Sequence, residues 1–166
     1  MVIVLIGPMG CGKTTVGKLL AKQLDWSFDD ADDFHPAENI AKMRAGIPLD
    51  DSDRQGWLLT LKERINERLR VGENLVLACS ALKKKYRDLL GIDDQQVMSV
   101  YLKGDFDLLS ARIDGRNHQF MNKGLLTSQL AIMEEPKDGL TLHIGASPTI
   151  LAGQIAAWLQ QLPKEK

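Results

Sequence analysis

The sequence has no excess of charge of either sign: 21 lysines and arginines stand against 22 aspartates and glutamates, for a formal net charge of -1. This balance argues against a protein that grips nucleic acid through a broadly basic surface and makes a small ligand the expected guest. Cysteine is scarce. Cys11 and Cys79 lie too far apart for a metal-knuckle spacing, and a chain of 166 residues does not need disulfides to fold, so both read as reduced thiols. Long apolar runs are also missing. The start Val2-Ile3-Val4-Leu5-Ile6 lacks a basic flank and meets Gly7-Pro8 at once, so it is neither a signal peptide nor a membrane span. The chain is expected in the cytoplasm. Neither a repeat of fixed period nor a low-complexity linker interrupts it.

What is present fits one α/β domain over residues 1–166, with 44% hydrophobic and 26% charged residues and length enough for a real core. Val2 to Ile6 is short, β-branched and uniformly apolar, the form of a strand buried on both faces. Trp26 to Phe28, Leu75 to Cys79 and Val97 to Leu102 read as further strands, and Leu140 to Ile144 as a weaker fifth. Helical spacing of apolar residues marks Lys13 to Leu24, a stretch from after Asp53 to Gly72, Phe106 to Arg116, Leu125 to Met133, and a C-terminal helix carrying Leu151, Ile155, Trp158, Leu159 and Leu162. Strands alternating with helices imply a parallel sheet flanked by helices. Two polar excursions leave that sheet, at about 30–60 and 115–125, and such excursions usually carry substrate contacts.

Gly7-Pro8-Met9-Gly10-Cys11-Gly12-Lys13-Thr14 matches G-x-x-x-x-G-K-[ST] between a buried strand and a helix, the setting in which this loop works as a phosphate cradle. Glycines let the backbone turn tightly, so that successive N–H groups point at phosphate oxygens, and the helix start adds the positive end of its dipole. Residues 7–14 with Thr15 are therefore the expected ATP-binding segment of a P-loop NTPase fold. Lys13 would reach the β and γ phosphates, and the Thr14 hydroxyl would bind Mg²⁺. Cys11 stands near a helix N-terminus and Lys13, which favours a thiolate and raises redox sensitivity as a hypothesis beside the plainer reading of a small loop filler.

Phe28-Asp29-Asp30-Ala31-Asp32-Asp33-Phe34-His35-Pro36 follows the second strand, so its carboxylates are expected at the same sheet edge as the phosphate loop. Transfer of a phosphoryl group to an alcohol needs a group to orient the hydroxyl and accept its proton, and oxygen ligands for Mg²⁺. Asp30 and Asp32 divide those tasks if the strand conformation persists through them and turns both to one side. Asp29 and Asp33 read as solvated or helix-capping residues. The third strand ends in Ser80 rather than the aspartate of a Walker B strand, which shifts the metal role to Asp30. Lys83, Lys84, Lys85 and Arg87 offer cations for an anionic substrate. Arg112 and Arg116 border the second excursion, where a closing lid would bring a cation to the transferring phosphate.

Together these blocks resemble the gluconate kinases of the P-loop small-molecule kinase group. The resemblance runs from the phosphate loop through Asp30-Ala31-Asp32 with His35-Pro36, Asn39-Ile40-Ala41-Lys42-Met43, Gly46-Ile47-Pro48-Leu49, Asp51-Ser52-Asp53-Arg54 with Trp57-Leu58, and Cys79-Ser80-Ala81-Leu82-Lys83 with Tyr86-Arg87-Asp88. Tyr101-Leu102-Lys103-Gly104-Asp105 and Leu125-Leu126-Thr127-Ser128-Gln129 complete it. It implies a nucleoside-monophosphate-kinase-like fold with a lid, transfer of the ATP γ-phosphate to the 6-hydroxyl of D-gluconate, and a homodimer. On this chain it makes Asp32 the group that deprotonates the hydroxyl, puts Asp30 near Mg²⁺, and makes Arg54, Arg87 and His35 candidates for gripping the sugar acid; a guanidinium suits its carboxylate better than a lysine. Lys13, Asp32 and Arg116 are the implied catalytic set, with Arg112 at the nucleotide.

Three departures from the family pattern stand out. Met9 and Cys11 replace serines in the loop, Ala31 replaces a glycine, and Arg116-Asn117-His118-Gln119-Phe120 replaces Arg-x-Gly-His-Phe in the lid. Shikimate kinases share Gly-Pro-Met-Gly and an Asp-x-Asp, but their glycine triplet after the third strand is Cys79-Ser80-Ala81 here. A nucleotide-dependent switch would need Asn-Lys-x-Asp, and Asn122-Lys123-Gly124-Leu125 lacks the aspartate.

Overall fold

In the computed structural model, which describes residues 1–115 and 123–163, the apolar start of the chain is the central strand of a parallel sheet. This strand, β1 (Val2–Ile6), is buried throughout because its alternating side chains feed two cores. Ile3 and Leu5 pack with Val16 and Leu20 of α1 (Lys13–Leu24), Leu109 and Ile113 of α5 (Phe106–Asp114), and Leu151 and Ile155 of α7 (Pro148–Gln161). Val2, Val4 and Ile6 pack on the other face with Leu58, Leu61 and Ile65 of α3 (Asp51–Arg70) and with Tyr86 and Leu90 of α4 (Lys84–Leu90).

The remaining strands are β2 (Ser27–Asp30), β3 (Leu75–Ala78), β4 (Val97–Lys103) and β5 (Leu140–His143), in the spatial order β2-β3-β1-β4-β5 with every pair parallel. β3 is inserted between β1 and β2, and β4 lies on the opposite side of β1. The chain thus reverses its direction of travel across the sheet at β1, which opens a crevice beyond the carboxyl ends of the strands. Two further helices, α2 (Ala37–Arg44) and α6 (Lys123–Ile132), stand over that end.

The expected elements recur, with informative shifts. β2 begins after Trp26 and runs on to Asp30, because Asp29 is bound by Arg64, whose Nε donates to Oδ2 at 2.8 Å, and pairing with β3 continues to Asp30 opposite Ala78. The strand does not persist to Asp32: residues Ala31–Phe34 form a 3₁₀ turn, capped by the Asp30 side chain accepting from the Asp32 amide at 3.0 Å. Asp30, rather than Asp29 or Asp33, is the cap. α3 starts at Asp51, three residues before the expected position, because Asp50 and Asp53 form a reciprocal capping box. The lid expected at 115–125 lies for the most part outside the described residues, and with it Arg116.

Candidate active site

The phosphate loop joins β1 to α1 by backbone shapes that favour glycine at three points, the first being Gly7 (φ +150°). Gly10 (φ +82°) and Gly12 (φ +94°) are left-handed, and a Cβ on Gly10 would come within 3.1 Å of Ile113. The result is a nest of unpaired donors: among the described residues, the amides of Gly10, Gly12, Lys13 and Thr14 are donated to no other group. Pro8 has no N–H to contribute and is buried. Lys13 folds over the loop, its Nζ donating to the carbonyls of Gly7 at 2.8 Å and Pro8 at 3.1 Å. Thr15 is exposed beside the loop. Cys11 is wholly buried beneath it, its Sγ 2.7 Å from where a Gly7 Cβ would stand. That packing is the filler role, and it denies oxidants the access a redox-sensing thiol needs. Cys79 is likewise free and buried, and burial pushes its thiol up to about 12.

Facing the loop is a cleft of about 180 Å³. Its floor is Ala78 and Ser80 at the end of β3, and its walls bring Lys13, Thr14, Asp30 and Asp32 together with His35 and Arg54, the two that the family resemblance had singled out. The Thr14 hydroxyl donates to Asp30 Oδ2 at 2.6 Å, so the two oxygens assigned to a metal already adjoin. A Mg²⁺ ion keeps several waters and takes substrate phosphates as ligands, so one hydroxyl and one half-buried carboxylate beside a phosphate nest fit it. No cluster of three or more His, Cys, Asp or Glu suited to a metal occurs among the described residues. Asp32 is 78% exposed in its side chain and borders the open side of the cleft.

His35 stacks on Trp57 of α3 with ring centroids 4.1 Å apart. Burial, and then the Arg54 charge, lower its pKa to about 4, so it is neutral at physiological pH. It therefore cannot grip a carboxylate as a cation, and its use is as a hydrogen-bonding group. Asn39 Nδ2 donates to the Asp53 carbonyl at 2.8 Å and meets His35 Nδ1 at 3.2 Å, which makes Nδ1 the acceptor and leaves the ring proton on Nε2. That nitrogen faces Asp32 Oδ1 across 4.0 Å.

Arg54 is buried, its Nη1 donating to the Leu49 carbonyl at 2.6 Å and the Tyr86 hydroxyl at 3.2 Å. Its Nε and Nη2 make no hydrogen bond to other described residues, and the side chain lines the cleft, so two donors remain for a ligand. Arg87 is different. Its guanidinium is spent on the carbonyls of Ala81 at 2.8 Å, Leu82 at 3.1 Å and Glu134 at 2.8 Å, and it is not part of the cleft wall. The expected substrate contact is corrected to a clamp on the backbone after β3. Arg112 also stays off the cleft wall, bound to the Ile144 carbonyl, but its Nη1 is 3.8 Å from a Cβ built on Gly12, at the back of the loop. The lysines of the basic stretch are internally paired: Lys83 and Lys85 with Asp51, and Lys84 with Asp88. Together with Tyr86, the first two hold the Asp51 carboxyl well below the usual range.

Sequence reasoning gave no role to Trp57, Asn39, Met43, Leu49, Ser128 or Gln129. Trp57 is fixed by donating Nε1 to the Ala31 carbonyl at 2.7 Å, and Asn39 is the tautomer-setting partner just described. Their signal is a polar or aromatic residue on the inward face of a helix. Met43 and Leu49 give the cleft an apolar wall from the first excursion, and Gln129 reaches the phosphate loop from α6.

A parallel sheet with a phosphate loop after its central strand, sharing one cleft with a pair of aspartates, defines a P-loop kinase of small molecules. Residues 9–139 match the family model described as Shikimate kinase. A probable gluconokinase of Mus musculus is 44% identical over 152 residues, covering 81% of this chain and 83% of its own. The thermoresistant gluconokinase of Escherichia coli (strain K12) is 37% identical over 169 residues, covering 99% and 95%. Among solved structures, a sugar kinase from Janibacter sp. HTCC2649 superposes with a TM-score of 0.88 at 38% identity, over 96% of this chain and 94% of that one. The chain belongs to the gluconokinase family. Among the described residues no helix is long and apolar enough to cross a membrane.

Proposed function

We propose that this protein transfers the γ-phosphoryl group of ATP to the 6-hydroxyl of D-gluconate, giving 6-phospho-D-gluconate and ADP. The observation that carries the reading is the placement of Asp32 and Arg54 on one cleft opposite the phosphate loop. Loop amides and Lys13 hold the β and γ phosphates, and Lys13 leaves its carbonyl partners to do so. Thr14 and Asp30 would hold Mg²⁺, which when bound would supply positive charge beside the phosphate oxygens. Asp32 orients the sugar hydroxyl and takes its proton as the new O–P bond forms and the bond to the β-phosphate oxygen breaks. Arg54 pairs its two remaining donors with the gluconate carboxylate. Neutral His35, held by Trp57 and Asn39, offers its Nε2–H beside Asp32 to a substrate hydroxyl. The names of the relatives support the acceptor, and the apolar wall of Met43 and Leu49 suits the carbon backbone of a polyol.

The decisive assay is ADP release with ATP and Mg²⁺ against D-gluconate, shikimate and no acceptor. Gluconate-dependent release is expected. The family model over residues 9–139 favours shikimate as a second reading, and faster release with shikimate than with gluconate would establish it. Slow, acceptor-independent release would point instead to a nucleotide switch.

A further inference from the structure

Gln129 is the one described side chain that accepts a hydrogen bond from an amide of the phosphate loop: Met9 N donates to its Oε1 at 2.7 Å, across 120 residues of sequence. A backbone amide can only donate, so the oxygen of the carboxamide must face the loop and its nitrogen must face away. Gln129 lines the cleft, and among the described residues its Nε2 has no acceptor, which leaves two N–H donors on a side chain of the cleft wall. The end of the loop it touches is also marked. Lys13, the cation that serves the β and γ phosphates, rests on the carbonyls of Gly7 and Pro8, the two residues before Met9. The amides from Gly10 onward and the start of α1 are left for the inner phosphates.

We infer that Gln129 is a catalytic residue of the phosphoryl transfer, its Nε2 donating to an equatorial oxygen of the γ-phosphoryl group while its Oε1 remains on the Met9 amide. The inference rests on the phosphotransfer reading above. Oxygens of the transferring group carry the charge spread in the transition state, and a donor already anchored by its other end needs no reorganisation to meet it. A neutral carboxamide adds this donor without a charge that would tighten the hold on the product nucleotide.

A purely structural tie between α6 and the loop needs only the acceptor, which a glutamate supplies as well as a glutamine. Gln129→Glu therefore keeps the tie, deletes the donor and adds a negative charge beside the phosphates, whereas Gln129→Ala deletes both tie and donor without adding charge. Affinities of each variant for MgADP and for a non-hydrolysable Mg-triphosphate analogue are measured by calorimetry, with steady-state kinetics alongside. We expect ADP affinity within about twofold of wild type for both variants, which also shows that they fold. Triphosphate affinity and kcat should fall at least tenfold for Ala and further for Glu, with KM for gluconate little changed. Wild-type kcat and triphosphate affinity in Gln129→Glu, an equal loss of both nucleotides, or a change confined to KM for gluconate would each overturn the inference while leaving the phosphotransfer reading standing. A wild-type chain that binds ADP and the analogue but phosphorylates no acceptor would overturn both.

Discussion

At the scale of single residues, the site separates groups that carry charge from groups that only direct it. Asp32→Asn keeps the size and one acceptor oxygen but cannot take a proton, so kcat for gluconate should fall by ~10²–10⁴-fold with little change in nucleotide affinity, read by coupled ADP release and nucleotide titration. Arg54→Lys replaces a planar fork by a point charge. KM for gluconate should rise about 10- to 100-fold, the worth of a charge-assisted bond at ~1.5–3 kcal/mol. His35 makes a prediction with a sign. Its pKa falls from 6.5 to about 4 on folding, so between those values the unfolded chain binds a proton that the folded one refuses. Its contribution to stability is thus complete above pH 6.5 and is lost as pH drops toward 4. Denaturant midpoints measured from pH 7 to pH 4.5 should decline less steeply in His35→Gln than in wild type. This pair of behaviours shows what residue identity alone reveals. The aspartates were legible from their place after an apolar run, but the charge state of His35 was not, because Trp57 and Arg54 reach it from a helix that begins sixteen residues later.

At the scale of elements, the surprises come from what ends a strand or clamps a turn. β2 was legible as an apolar stretch, yet its carboxyl end is polar and holds its place through Arg64 on Asp29. The turn at Ala31 was hidden because Asp30 caps its own chain with one oxygen while the other accepts from the Thr14 hydroxyl, two uses that a pattern of carboxylates does not distinguish. Arg87 looked like a ligand for an anion because arginine in a basic stretch after a strand often is one. Three carbonyls, one of them 47 residues away, claim it instead. Arg87→Met should therefore cost ~2–3 kcal/mol of stability by denaturant unfolding, since it strips buried carbonyls of a charged donor, while KM for gluconate in the surviving folded protein changes less than in Arg54→Lys. The capping box of α3 is a parallel case. Asp50→Ala should lower stability by about 1 kcal/mol, and because that helix carries both Arg54 and Trp57, part of the loss should appear as weaker gluconate binding.

At the scale of the whole molecule, the phosphate loop was readable because its eight residues are contiguous and its geometry is local, whereas the cleft is assembled from that loop, α1, β2, α2, α3, β3 and α6, and no window of sequence contains it. Ligand binding should therefore report on the entire fold: MgATP at a hundred times its dissociation constant should add ~2.7 kcal/mol and raise the melting temperature by several degrees, a shift that Lys13→Ala largely removes. The strand order carries a last consequence. β1 and β2 never touch each other, since residues 75–78 come between them. A chain emerging from the ribosome has therefore completed its glycine-rich turn and both aspartates well before the wedge that spaces them has been synthesised. Truncated chains ending ahead of residue 75 should fail to retain nucleotide on a filter, and acquisition of binding during translation should be abrupt, arriving only once that later segment has slotted into the gap.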